Sequence, residues 1–92
     1  MKSENKYYVT MTDRFLSGWG MAEGKINKLV FVCNGYREAL TVRDNARART
    51  DQERINIRTS KPYYNPATHY VQYKTIDEYP NWYVPGYFKR HD

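Results

Sequence analysis

Ninety-two residues make one small domain and leave little room to enclose a large cofactor beside a core. Ten tyrosines supply much of the 40% hydrophobic fraction, so the apolar surface is largely ring with a polar tip. Fifteen Lys+Arg against 10 Asp+Glu give a net charge of +5, which falls short of a histone-like tail and either favours acidic partners or simply keeps a small chain in solution.

Met1 to Lys6 is polar, and no apolar segment follows it, so the sequence predicts no signal peptide. No run approaches the roughly 18–20 apolar residues of a membrane span. The single Cys33 cannot form an internal disulfide, and its place in an apolar run predicts a buried thiol. A cytoplasmic, reducing setting without a membrane partner is the expectation.

Tyr7 to Thr12 predicts a strand with Tyr7, Val9 and Met11 on one face and Tyr8, Thr10 and Thr12 on the other. Asp13 to Lys25 holds Ser17-Gly18-Trp19-Gly20 and Gly24. The glycine spacing is similar to a dinucleotide-binding loop, but that loop runs from a strand directly into a helix, and here another strand comes next. A long hairpin loop remains, with Trp19 folded back as a lid or exposed as an anchor for a partner. Ile26 to Cys33 includes Leu29-Val30-Phe31-Val32-Cys33, the only unbroken apolar run, and predicts a central strand covered on both faces.

Asn34 is the expected N-cap of a helix reaching about Arg49, with Glu38 complementing the dipole of its first turn. Ala39, Val42 and Ala46 share one face, and their small size lets the helix lie close to a sheet. Arg43 and Arg47 are neighbours four residues apart, either a solvated face or a pair that grips phosphate. Thr50 to Glu53 reads as a polar turn. Arg54 to Arg58 alternates as a half-buried strand with Ile55 and Ile57 on one side. Ser60 to Thr68 is a loop punctuated by Pro62, Asn65 and Pro66, in which Tyr63 and Tyr64 are packed caps or exposed stacking surfaces. His69 to Ile76 is a fourth strand with Val71 and Tyr73 inward. Asp77 to Asp92 carries Pro80 and Pro85 among Tyr79, Trp82, Tyr83, Tyr87 and Phe88. Prolines limit regular structure there, while the rings argue for a tail that wraps the domain and joins its core.

The sequence therefore predicts a single α+β domain over residues 1–92. Its sheet is antiparallel, of about four strands in the order β-β-α-β-β, with one helix packed on one face and an aromatic C-terminal tail. The other face is expected to be wet or partly covered by that tail.

Catalytic and metal chemistry find little support. One cysteine with His69 and His91 far apart does not make a ligand set. A Cys33–His69 nucleophilic pair needs an exposed thiolate, and no carboxylates share an apolar setting. No enzyme activity, metal or cofactor is expected. Single-stranded nucleic acid, ahead of duplex, is the favoured partner, because rings stack on bases while cations follow the backbone, each stacked base contributing about 1–3 kcal/mol. The uncovered sheet face is expected to present Tyr8, Arg54, Arg58, Tyr70 and Lys74 together, with Arg43 and Arg47 on the helix as further phosphate contacts. The alternative is a protein partner met through Trp19, Tyr63, Tyr64 and Trp82.

Tyr8-Val9-Thr10, Ser17-Gly18-Trp19-Gly20, Glu23-Gly24-Lys25, Asn27-Lys28-Leu29-Val30, Asn45-Ala46-Arg47 and Lys61-Pro62-Tyr63-Tyr64 run through most of the chain. They are completed by Asp77-Glu78-Tyr79-Pro80 and Pro85-Gly86-Tyr87-Phe88-Lys89. With them the sequence resembles small uncharacterised proteins encoded by bacteriophages and integrated mobile elements. The resemblance implies a setting and no activity. In that setting two classes rise together: nucleic-acid-binding accessory proteins, and inhibitors or adaptors acting on a host enzyme or defence complex.

Overall fold

Strand β2 (Ile26–Cys33) lies between β1 (Tyr7–Asp13), which pairs with it antiparallel, and β4 (His69–Lys74), which runs parallel to it. Strand β3 (Gln52–Arg58) adds antiparallel to the far side of β1, giving a four-stranded sheet in the order β3-β1-β2-β4. Helix α1 (Tyr36–Arg47) connects β2 to β3. These are features of a computed structural model, which describes residues 6–14, 24–49 and 51–88. Residues 15–23, with Trp19, lie outside the described part.

The α+β class and the β-β-α-β-β order follow the expectation, but the sheet is mixed rather than antiparallel. What permits this is the link between the last two strands, residues 59–68. Returning from the end of β3 to the start of β4 means crossing three strand spacings, about 14 Å, and going back one strand length, about 20 Å. A ten-residue link reaches up to about 33 Å, so the chain crosses the sheet and enters β4 in the direction of β2. The two crossovers move in opposite directions on opposite faces, and so have the same hand.

Paired residues point to the same side of a sheet, so the register assigns the two faces. Val9, Met11, Leu29, Phe31 and Cys33 form one buried face against Ala39, Val42 and Ala46 of α1. Tyr83 completes this core from a short 3-10 helix, Pro80–Tyr83. The Phe31 ring lies 4.5 Å from that of Trp82 and meets Tyr83 edge-on at 6.3 Å. The tail is thus docked as far as Phe88, and it sits on the helix side. Asn45 secures it: the side-chain amide donates to the carbonyls of Trp82 at 2.7 Å and Val84 at 3.0 Å, and its oxygen accepts from the Phe88 amide at 3.4 Å. The Tyr83 hydroxyl donates to the Val32 carbonyl at 2.8 Å.

The opposite face is covered in part, and among the described residues by the link between β3 and β4 rather than by the tail. Val30 is fully buried on it, and the link 59–68 passes over its β2–β4 half. Lys61 Nζ stands 4.9 Å from the Tyr73 ring, the Tyr73 hydroxyl donates to the Pro62 carbonyl at 3.3 Å, and Lys28 Nζ is 5.6 Å from the Tyr64 ring. Against the expectation that both point inward, Val71 is only half-buried and Tyr73 is exposed, on the face that this link crosses rather than in the main core.

The helix start also differs from expectation. Gly35 is the N-cap in an extended conformation, one residue later than Asn34. Glu38 reaches back to accept the Asn34 amide at 2.9 Å, and Asn34 Oδ1 accepts from Lys6 Nζ at 2.8 Å. The carboxylate of the first turn thus ties down the amide just before the N-cap, while Gly35 has no side chain to offer the amides that an N-cap oxygen usually serves.

Replacing Asn45 by Ala removes all three bonds to the tail; the part-buried Trp82 carbonyl loses its side-chain donor, while the Val84 carbonyl keeps the Tyr87 amide. Asn45→Ala is expected to lower stability by about 3 kcal/mol and to speed hydrogen exchange at the Tyr87 amide, which bonds the Val84 carbonyl. Urea unfolding and exchange measured by NMR check both.

Candidate functional site

A β-bulge shapes the most distinctive part of the surface. Thr10 opposes Asn56 and Thr12 opposes Glu53, so β3 carries one residue more than β1 between these pairs. Arg54 sits at the irregularity with φ +55°. A bulge shifts the alternation of a strand by one residue. Gln52 is thereby turned into the helix-side interior, opposite Asp13, while Arg54 and Glu53 emerge side by side next to Thr12.

Together with the starts of β2 and β4, these residues enclose a cleft of about 500 Å³ lined by Thr12, Arg14, Ile26, Lys28, Glu53, Arg54 and His69. All four strands contribute to its walls or rim. Arg14 Nε stands 3.9 Å from Glu53 Oε1. Lys28 Nζ donates to Thr12 Oγ1 at 2.7 Å. Burial, then the charge of Arg54, lowers the Lys28 pKa from its usual 10.5, while Glu53 works in the opposite direction. His69 Nδ1 is 2.8 Å from Thr68 Oγ1, and its ring lies 5.3 Å from Tyr64. The cleft therefore holds three fixed cations, one carboxylate and an imidazole, with a tyrosine ring beside them.

The residues singled out from the sequence fall into separate places. Tyr8 and Arg58 face each other across β1 and β3 on the cleft face, at the other end of the sheet. Arg54 lines the cleft. Tyr70 and Lys74 do not join them, because their register partners Asn27 and Phe31 belong to the helix face. Lys74 Nζ there bonds Gln72 Oε1 at 3.0 Å and the Tyr79 hydroxyl at 2.9 Å. Arg43, paired with Asp44 at 3.2 Å, and the exposed Arg47 lie on α1, across the sheet from the cleft. Among the rings named for a protein partner, Tyr63 is 83% exposed. Tyr64 packs at the cleft, and Trp82 is held between Phe31 and Phe88.

From the sequence alone, Lys28 and Arg14 receive no binding role, and His69 is weighed only as a metal ligand or a partner of Cys33. For Lys28 a signal exists in the sequence: a lysine one residue before the apolar run of a central strand must keep its charge solvated or find a use for it.

Cys33 is fully buried on the helix face, its Sγ 3.6 Å from the Phe31 carbonyl. His69 lies on the other face and at the opposite end of β2, so the two do not form a catalytic pair. Among the described residues no group of three His, Cys, Asp or Glu side chains is placed to hold a metal ion, and no helix is long and apolar enough to cross a membrane. No protein-family model, curated protein or solved structure matches the chain.

Burial, aided by the Glu38 charge, pushes the Cys33 thiol from 9.0 up to about 12, and burial also raises Tyr83 above its usual 10.0. Both groups hold their protons more tightly folded than unfolded. Their stability contribution is complete below about pH 9 and is lost as pH climbs from there toward 12. Stability measured against pH should fall across that window, and a thiol reagent at pH 8 should label Cys33 only after denaturant is added. A second expectation concerns Arg54: a non-glycine residue at φ +55° is strained by about 1–2 kcal/mol. Arg54→Gly should keep stability or raise it by up to about 1 kcal/mol, as read from urea midpoints.

Proposed function

We propose that the protein is a non-enzymatic nucleic-acid-binding accessory protein of the phage or mobile-element kind, acting in the cytoplasm of a host cell on single strands. One observation carries this reading: Arg14, Lys28 and Arg54 converge with His69 in one cleft, flanked by the Tyr64 ring. Phosphates meet cations inside the cleft, and bases find rings at its margin in Tyr64 and the exposed Tyr63. Tyr8 and Arg58 extend the same face toward the far end of the sheet. A duplex suits this arrangement less well, because no described helix stands proud of the surface beside the cleft to enter a groove.

A protein partner is the second reading, and it rests on Tyr63, 83% exposed. A ring so open to solvent fits an anchor for a host enzyme or defence complex. Tyr63→Ala should then abolish capture of that partner without altering oligonucleotide binding.

The primary test is a salt titration with short single-stranded oligonucleotides. Three phosphates neutralised at Lys28, Arg54 and Arg58 give a slope of log K against log salt of about −2. Arg58→Ala should reduce its magnitude by about 0.7. Absence of salt-dependent binding at tens of micromolar protein removes the nucleic-acid reading.

A further inference from the structure

The charges inside the cleft do not balance. Arg14 is matched by Glu53 at 3.9 Å. Among the described residues, Lys28 and Arg54 have no carboxylate within ion-pairing distance. Both line the same cleft, and the charge of Arg54 adds to the cost of burying Lys28, a cost that Glu53 offsets only in part. A single phosphodiester brings one negative charge and leaves one of these cations uncompensated. A phosphomonoester brings about −1.5 to −2 near pH 7 and three acceptor oxygens, enough to answer both.

The groups around the pair fit the same chemistry. Lys28 offers a compact ammonium already held in place by Thr12 Oγ1 at 2.7 Å. Arg54 offers a planar fork suited to two phosphate oxygens, carried on a bulge that places it there at a backbone conformation few arginines adopt. With His69 Nδ1 engaged by Thr68 at 2.8 Å, Nε2 is the ring nitrogen left for a ligand. The volume of about 500 Å³ lies in the range of small-ligand sites, larger than one phosphate and sufficient for the sugar attached to it. Strain retained at Arg54 is the pattern of a position kept for what its side chain reaches.

We propose that the cleft bounded by Lys28, Arg54 and His69 takes the terminal phosphomonoester of a single-stranded nucleic acid, with the adjoining base against Tyr64. This rests on the nucleic-acid reading above and narrows it from internal phosphates to a strand end. Either end carries the required chemistry, and the experiment separates them.

One oligodeoxynucleotide is prepared with a 5′-hydroxyl, with a 5′-phosphate and with a 3′-phosphate, and its binding is followed by fluorescence anisotropy. One phosphorylated form should bind at least ~10-fold more tightly than the hydroxyl form, and inorganic phosphate should compete that gain away. In Lys28→Gln and in Arg54→Gly, each checked for folding by circular dichroism, the affinity ratio of phosphorylated to hydroxyl form should fall to about one. Equal affinity for all three oligonucleotides in the wild-type protein overturns the strand-end proposal and leaves the broader reading standing. A gain that persists in both variants overturns the assignment to this cleft. Binding of a phosphoserine peptide with no binding of any oligonucleotide overturns both readings and reassigns the cleft to a phosphoprotein.

Discussion

Val30 and Phe31 are adjacent in β2, point to opposite faces of the sheet, and are both shut off from solvent. A strand in that position satisfies its backbone through β1 and β4, but each face must be roofed by chain brought from elsewhere. Burying such side chains stabilises the fold by roughly 1.5–3 kcal/mol apiece, and that gain exists only if both roofs are in place. On one side α1 and the segment Pro80–Tyr83 close over Phe31. On the other, the link between β3 and β4 passes over the β2–β4 half. Among the described residues the second roof is narrow, a single thickness of chain. The margin it leaves toward β1 and β3, where Thr12, Glu53 and Arg54 come to the surface, is the cleft.

Much of this was legible in the residues. Alternation gave the strands, the spacing of Ala39, Val42 and Ala46 gave the buried side of the helix, and the apolar run placed Cys33 inside. What the pattern does not contain is direction. A run such as His69–Lys74 reads the same whether it pairs parallel or antiparallel, and a link as long as residues 59–68 permits either. Nor does alternation say which of two half-apolar sides turns toward the helix. Tyr70 and Lys74 were grouped with Tyr8 for that reason, and the register puts them on the other face.

The bulge at Arg54 was hidden for a different reason. Positive φ is announced in a sequence by glycine or asparagine, and here an arginine occupies it. The strand accordingly begins two residues earlier than its clean alternation suggests, at Gln52 rather than Arg54. His69 looks like an ordinary surface histidine until β4 is laid beside β2, which brings it into the cleft that Lys28 lines from the neighbouring strand.

Asn45 and Arg49 tie the aromatic segment to the helix end. Asn45 bonds the backbone of residues 82, 84 and 88. Arg49 is pinned by Asp51 at 3.1 and 3.0 Å while its guanidinium lies 5.4 Å from Trp82 and 5.0 Å from Phe88. The order of synthesis gives this docking a further meaning. A nascent chain that has reached Lys74 has its whole sheet and helix, yet Phe31 still faces solvent where Trp82 and Tyr83 will settle. Such pairings between distant parts of a chain form slowly, and exposed apolar surface invites association with other molecules until they do. The interior therefore cannot close until Trp82 and Tyr83 have left the ribosome, and a chaperone that shields a bare phenylalanine has its opportunity in that interval.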